Sequence, residues 1–139
     1  SCTVDRIAVF ATAGGSTGAL IRLGIRPFSL ATGRPTGLLV DGGTVAATGT
    51  GVLEVAVSAS VEAGRPYLLT CAVQGGATTR PTLSAVSGCL VPVSMTAPVE
   101  TPSTLGLTVD GVTGALAPTP TFVATGAVTY PRVWVRRAA

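Results

Sequence analysis

From Ala19 to Arg26 the side chains alternate without a break: Ala19, Ile21, Leu23 and Ile25 fall in one set, Arg22, Gly24 and Arg26 in the other. Successive side chains of a strand face opposite ways, so this spacing places four apolar groups on a core and sends the arginines to the other face. A helix, with its period of 3.6, would scatter both sets. The same period recurs along the chain. Over Val4 to Ala11, Ile7 and Val9 share one face and Arg6 and Ala8 the other. Over Val52 to Ser58, Leu53, Val55 and Val57 oppose Glu54. Over Tyr67 to Val73, Tyr67, Leu69, Cys71 and Val73 point inward, and over Arg132 to Arg136, Val133 and Val135 oppose Trp134.

Turn chemistry separates these segments. Ala13 to Gly18, Asp41-Gly42-Gly43, Thr48 to Gly51, Ala63-Gly64-Arg65-Pro66 and Gln74-Gly75-Gly76 carry the residues that tolerate positive φ or preset a bend. Pro27 has no N–H to give and is expected to stop the second strand's ladder. Leu38 to Val40, Thr44 to Ala47, Arg80 to Val86 and Thr104 to Val109 read as shorter strands, and Ala117 to Thr121 as loop. No ten-residue window combines helical apolar periodicity with a cap. Seven to nine short strands at this spacing predict an all-β antiparallel β-sandwich, jelly-roll-like first and Ig-like second.

The length of 139 residues fits one domain spanning 1–139. Pro92, Pro98 and Pro102 mark residues 88–104 as an extended surface excursion or an edge segment. Only 11% of residues are charged and 47% are hydrophobic, where an ordinary soluble domain is about a quarter charged. Such a chain has too few charges to cover itself, so part of its surface is expected to be buried against other copies or another chain.

All nine basic residues are Arg, and the net charge is +3. They are scattered, with only Arg136-Arg137 adjacent, and no stacking aromatics accompany them, so no nucleic-acid partner is expected. No run approaches the roughly 18 apolar residues of a membrane-spanning helix, so no membrane partner is expected either. A first strand at residue 3 or 4 leaves no signal peptide in view. Three cysteines cannot all pair. Cys71 reads as a small buried hydrophobe, Cys2 lies at a fraying end, and Cys71 with Cys89 is the candidate pair for any disulfide.

The residue inventory argues against catalysis. There is no His and no Lys, which removes the usual bases for general acid–base and seryl chemistry. Mixed Cys/His zinc sites are excluded for the same reason. The six carboxylates are Asp5, Asp41, Glu54, Glu62, Glu100 and Asp110. Asp41 and Asp110 each precede Gly and read as turn residues rather than Ca²⁺ ligands. Glu54 and Glu62 read as solvated, and Asp5 with Arg6 as a weak strand-edge ion pair. The Gly-rich turns lack the following helix of a phosphate cradle. Trp134 and Tyr130 admit a sugar-stacking role, but Trp134 in a Val-rich strand reads first as packed in a core or subunit interface. Phe28 and Phe122 sit in segments read as loops and are expected to be more exposed. No catalytic, metal or cofactor-binding residue is assigned, and no ligand-binding residue is singled out.

Four segments carry a resemblance. Val4-Asp5-Arg6-Ile7-Ala8-Val9, the Gly14-Gly15 turn and the strand Leu20 to Ile25 resemble a β-sandwich domain of phage minor tail proteins and tail fibres. Pro35-Thr36-Gly37-Leu38-Leu39-Val40-Asp41 resembles that domain's proline–glycine turn and strand. Ala63-Gly64-Arg65-Pro66-Tyr67-Leu68-Leu69 is similar to its final turn and strand, where an aromatic often replaces Arg65 or Pro66. Gly111 to Leu116 and Pro131 to Arg136 are similar to how such tail proteins end. The resemblance implies a non-enzymatic virion module, located in the tail and often a homotrimer. Its partners would be other virion proteins and, at a distal position, a host cell-surface glycan. It implies no catalytic residue and no cofactor. With a first strand so early, the chain is expected to be the C-terminal module of a longer protein, or a small virion protein using the fold alone. A capsid decoration or head-spike protein is the alternative reading.

Overall fold

A computed structural model describes residues 1–75, 78–86, 106–108, 112–119, 123–125 and 130–139. The expected antiparallel β-sandwich is present. Its first sheet is built around β1 (Cys2–Ala13). One side of β1 pairs along its length with β5 (Gly51–Val61). The other side pairs with β12 (Val133–Arg137), then with β7 (Thr82–Leu83). The second sheet is built around β2 (Leu20–Ser29). β6 (Tyr67–Gln74) lies along one side of it, and β4 (Val40–Ala46) with β3 (Arg34–Pro35) along the other. Short pairs join β8 (Ala85–Val86) to β11 (Tyr130–Pro131) and β9 (Gly106–Thr108) to β10 (Val123–Thr125).

The alternation predicted from sequence builds the core. Ile7 and Val9 of β1 cluster with Ile21, Leu23 and Ile25 of β2, all at 1% exposure or less. Val55 and Ala59 complete the first sheet's inner face, and Tyr67, Leu69, Cys71 and Val73 pack against the cluster from β6. Each buried Ile or Leu contributes about 1.5–3 kcal/mol relative to leaving it in water. Cys2 and Cys71 are free thiols; Cys89 lies outside the described residues, as do the 88–104 excursion, Glu100, Asp110 and Phe122.

Three local expectations are corrected. Pro27 does not end β2, which runs on to Ser29. Its main-chain edge faces residues 34–39, where its carbonyl accepts the Thr36 N–H at 3.0 Å, while the next residue, Phe28, donates to Pro66 O on the β6 side. The missing N–H therefore falls where no ladder bond is lost. Phe28 is consequently in a strand, opposite Pro35, and half-buried. The Asp41-Gly42-Gly43 stretch is not a chain reversal but a bulge inside β4. Arg22 faces Thr44 and Gly24 faces Asp41, so β4 spends one extra residue there. Gly43 takes φ +78°, the left-handed conformation such a bulge demands.

Candidate functional site

Arg26 points away from the core, as its register requires, yet it is only 2% exposed. Residues 112–119, a strap with no regular structure, cross the outer face of the second sheet and cover it. Leu116 sits over Gly24, with its Cδ1 in the space that a Cβ there would need. The strap's polar contacts run to its main chain. Gln74 Nε2 donates to Gly114 O at 2.8 Å, and the Leu116 N–H donates to Asp41 Oδ2 at 3.0 Å. Arg26 donates through Nη2 to Ala117 O at 2.7 Å and through Nη1 to Pro118 O at 3.2 Å and Gly37 O at 3.1 Å.

Asp41 is the hub of this face. Arg22 grips it through Nε to Oδ1 and Nη2 to Oδ2, both at 2.8 Å, and the Gly43 N–H bonds Oδ1 at 3.0 Å. Burial pushes the Asp41 carboxyl up, but the Arg22, Leu116 and Gly43 hydrogen bonds outweigh it and hold it below the ordinary value. Burial pulls the Arg26 guanidinium down, against the pull of the Asp41 charge. The turn role read for Asp41 thus survives only as its bond to Gly43, and its larger work is fastening the strap.

The other described carboxylates are also held by arginines. Asp5 makes a two-bond pair with Arg136, both at 2.9 Å, rather than with its neighbour Arg6. The register shift between Val4 and Arg6 interrupts strict alternation at Asp5, and β12 brings Arg136 alongside it there. Arg6 reaches Glu54 at 3.4 Å, and Arg65 reaches Glu62 at 3.3 Å; both glutamates are exposed, as read, but paired. Among the described residues no cluster of three or more potential metal ligands occurs.

The outer face of the first sheet is different in kind. Phe10 stands opposite Val52, and Ala8 is flanked by Trp134 and Glu54. Phe10 is 38%, Trp134 40% and Val52 63% exposed. Trp134 is therefore not in the core, because Val133 and not Trp134 takes the inward position of β12. At one end of the sandwich an apolar cleft of about 250 Å³ opens between Val4, Ile25, Val61, Tyr67, Leu69 and Val135, with Glu62 and Arg65 beside it. Sequence periodicity placed Ile25, Tyr67, Leu69 and Val135 on inward sets and Trp134 on the opposite one, but it did not single out Phe10, Val52 or Val61. It missed the strap, whose contacts span 91 residues between Arg26 and Ala117, and no local signal marks such a contact. Comparison with family models, with curated proteins and with solved structures found no match to this chain.

Proposed function

We propose that the chain is a non-enzymatic virion module: a phage tail-fibre or minor tail protein domain that works by assembly and display. The observation that carries this reading is the group of exposed apolar side chains on the outer face of the first sheet, Phe10, Val52 and Trp134, with Glu54 beside Ala8 among them. A surface of this kind on a chain with few charges is a contact surface. The four described carboxylates, each committed to an arginine, fit a scaffold better than a hydrolytic centre. The sequence resemblance supplies the setting, a tail with copies associated as a homotrimer beside other virion proteins. Host glycan contact at the distal end would be shallow and multivalent. Electron microscopy of virions labelled with an antibody to this chain tests the location. Label at the tail tip supports the proposal. Label on the head replaces it with the capsid-decoration reading, and unlabelled virions remove both.

A further inference from the structure

We propose that residues 112–119 are an exchangeable strap: the groove on the outer face of the second sheet takes this segment from a second copy of the chain, and that exchange joins copies together. The inference gives the self-association of the proposed virion module a physical means, and rests on that reading for its purpose.

The groove recognises the segment almost entirely through main-chain atoms. Gln74, Asp41 and Arg26 satisfy one N–H and three carbonyls of residues 114–118. Main-chain recognition is indifferent to which copy supplies the segment. One side chain is read, Leu116, in the socket left by the absent Cβ of Gly24. Recognition is complete within five residues, so nothing else of the donor copy has to be rebuilt in the acceptor.

Three features favour exchange. Among the described residues the strap forms no main-chain hydrogen bond to either sheet, so opening it breaks side-chain anchors and no strand ladder. Its seat is also imperfect. Thr70 Oγ1 is buried without a hydrogen bond, 3.0 Å from the Cβ position of Gly24 beside the Leu116 socket, and an unsatisfied buried hydroxyl weakens the closed state. The third feature names the occupant. The groove already fits this sequence, and every copy carries one groove and one strap. Exchange therefore conserves every contact, which makes it a low-cost route to oligomers.

A mixing experiment with full-length chains tests this. Leu116→Asp spoils the strap and leaves the groove intact. Gly24→Ala crowds the socket and leaves the strap intact. Neither chain can seat its own strap, but the Gly24→Ala strap fits the Leu116→Asp groove. Native mass spectrometry of the mixture should show a one-to-one complex that exceeds the complexes of either chain alone at least tenfold. Adding Arg26→Gln to the acceptor should abolish it. A mixture that stays the sum of its parts, with both variants folded by circular dichroism, overturns the proposal. If either variant fails to fold, a chain with strap and groove both intact decides. Unlabelled and ¹⁵N-labelled chains, both carrying Phe10→Thr and Trp134→Thr to silence the first sheet's outer face, should form mixed-mass oligomers at millimolar concentration that dissolve in excess peptide of residues 112–119. Absence of oligomers, or oligomers that the peptide does not dissolve, overturns exchange. Neither result touches the virion location, which antibody labelling decides separately.

Discussion

Asp41 shows how one side chain sets the conditions under which a fold holds. It accepts from Arg22, Gly43 and the strap amide of Leu116 while about four-fifths covered. Its carboxyl is held below the ordinary 3.8 in the folded state. The unfolded chain therefore binds its proton first as pH falls. The stability this group supplies is present above the unfolded value and is lost as pH drops below 3.8 through the folded value. Asp41→Asn should cost about 2 kcal/mol at neutral pH, the scale of a charged hydrogen-bonded pair. The gap should close on acidification, because the native carboxyl then carries no charge either. Urea midpoints of both proteins between about pH 3 and about pH 7 check this; parallel curves would sink it. Asp5 is lowered in the same direction, first by its hydrogen bond to Arg136, but it is too exposed to matter as much. Cys71 makes the complementary case. Burial pushes its thiol up to about 12, so almost none is thiolate near neutrality. Alkylation of the native protein at about pH 8 should be at least about 100-fold slower at Cys71 than in urea. Peptide mapping by mass spectrometry reads the rate at Cys71 directly, and equal rates would refute a protected thiol.

At the scale of the element, β2 and the strap divide what a sequence reveals from what it hides. The inner face of β2 was legible, because Ile21, Leu23 and Ile25, with Ala19 just before the strand, obey a local period and are all buried. The outer face was not. Arg26 has the outward register its period predicts, but what lies outside it is a segment 91 residues later in the chain. Alternation states direction and is silent on coverage. Pro27 was misread for a related reason: whether a missing N–H breaks a ladder depends on which neighbour that edge of the strand faces. Arg26→Met tests how much the strap depends on this side chain. Three carbonyls, of Gly37, Ala117 and Pro118, lose their donor. The expected loss is about 2–3 kcal/mol in denaturant unfolding, with faster hydrogen exchange at the Leu116 amide. Unchanged exchange at Leu116 would mean the strap is held by something else. Gly43 separates the bulge from the strap. Nothing crowds its Cβ position, but its φ is +78°. Gly43→Ala should cost about 1 kcal/mol through backbone strain alone, leaving Leu116 exchange close to that of the parent. A loss below a few tenths of that size would show that the bulge relaxes.

At the scale of the molecule, the two sheets solve the same problem in opposite ways. Each has an inner face on the shared core and an outer face to dispose of. The second sheet covers its outer face with the chain's own strap, which satisfies Gln74, Asp41 and Arg26. The first sheet leaves Phe10, Val52 and Trp134 in water. Phe10 and Trp134 keep about two-fifths of their surface open, and that open apolar area is what the proposed assembly would bury. This separates folding from assembly experimentally. Phe10→Thr combined with Trp134→Thr keeps strand-compatible side chains while removing the aromatic surface. The double variant should unfold within a few degrees of the parent, on the order of 1 kcal/mol or less. Its self-association, followed by sedimentation equilibrium, should weaken at least tenfold, which corresponds to about 1.4 kcal/mol of association free energy. Strong destabilisation with unchanged association would assign the two aromatics to the fold. Weakened association at nearly constant stability would assign them to contact between chains, on a face that the strap groove does not share.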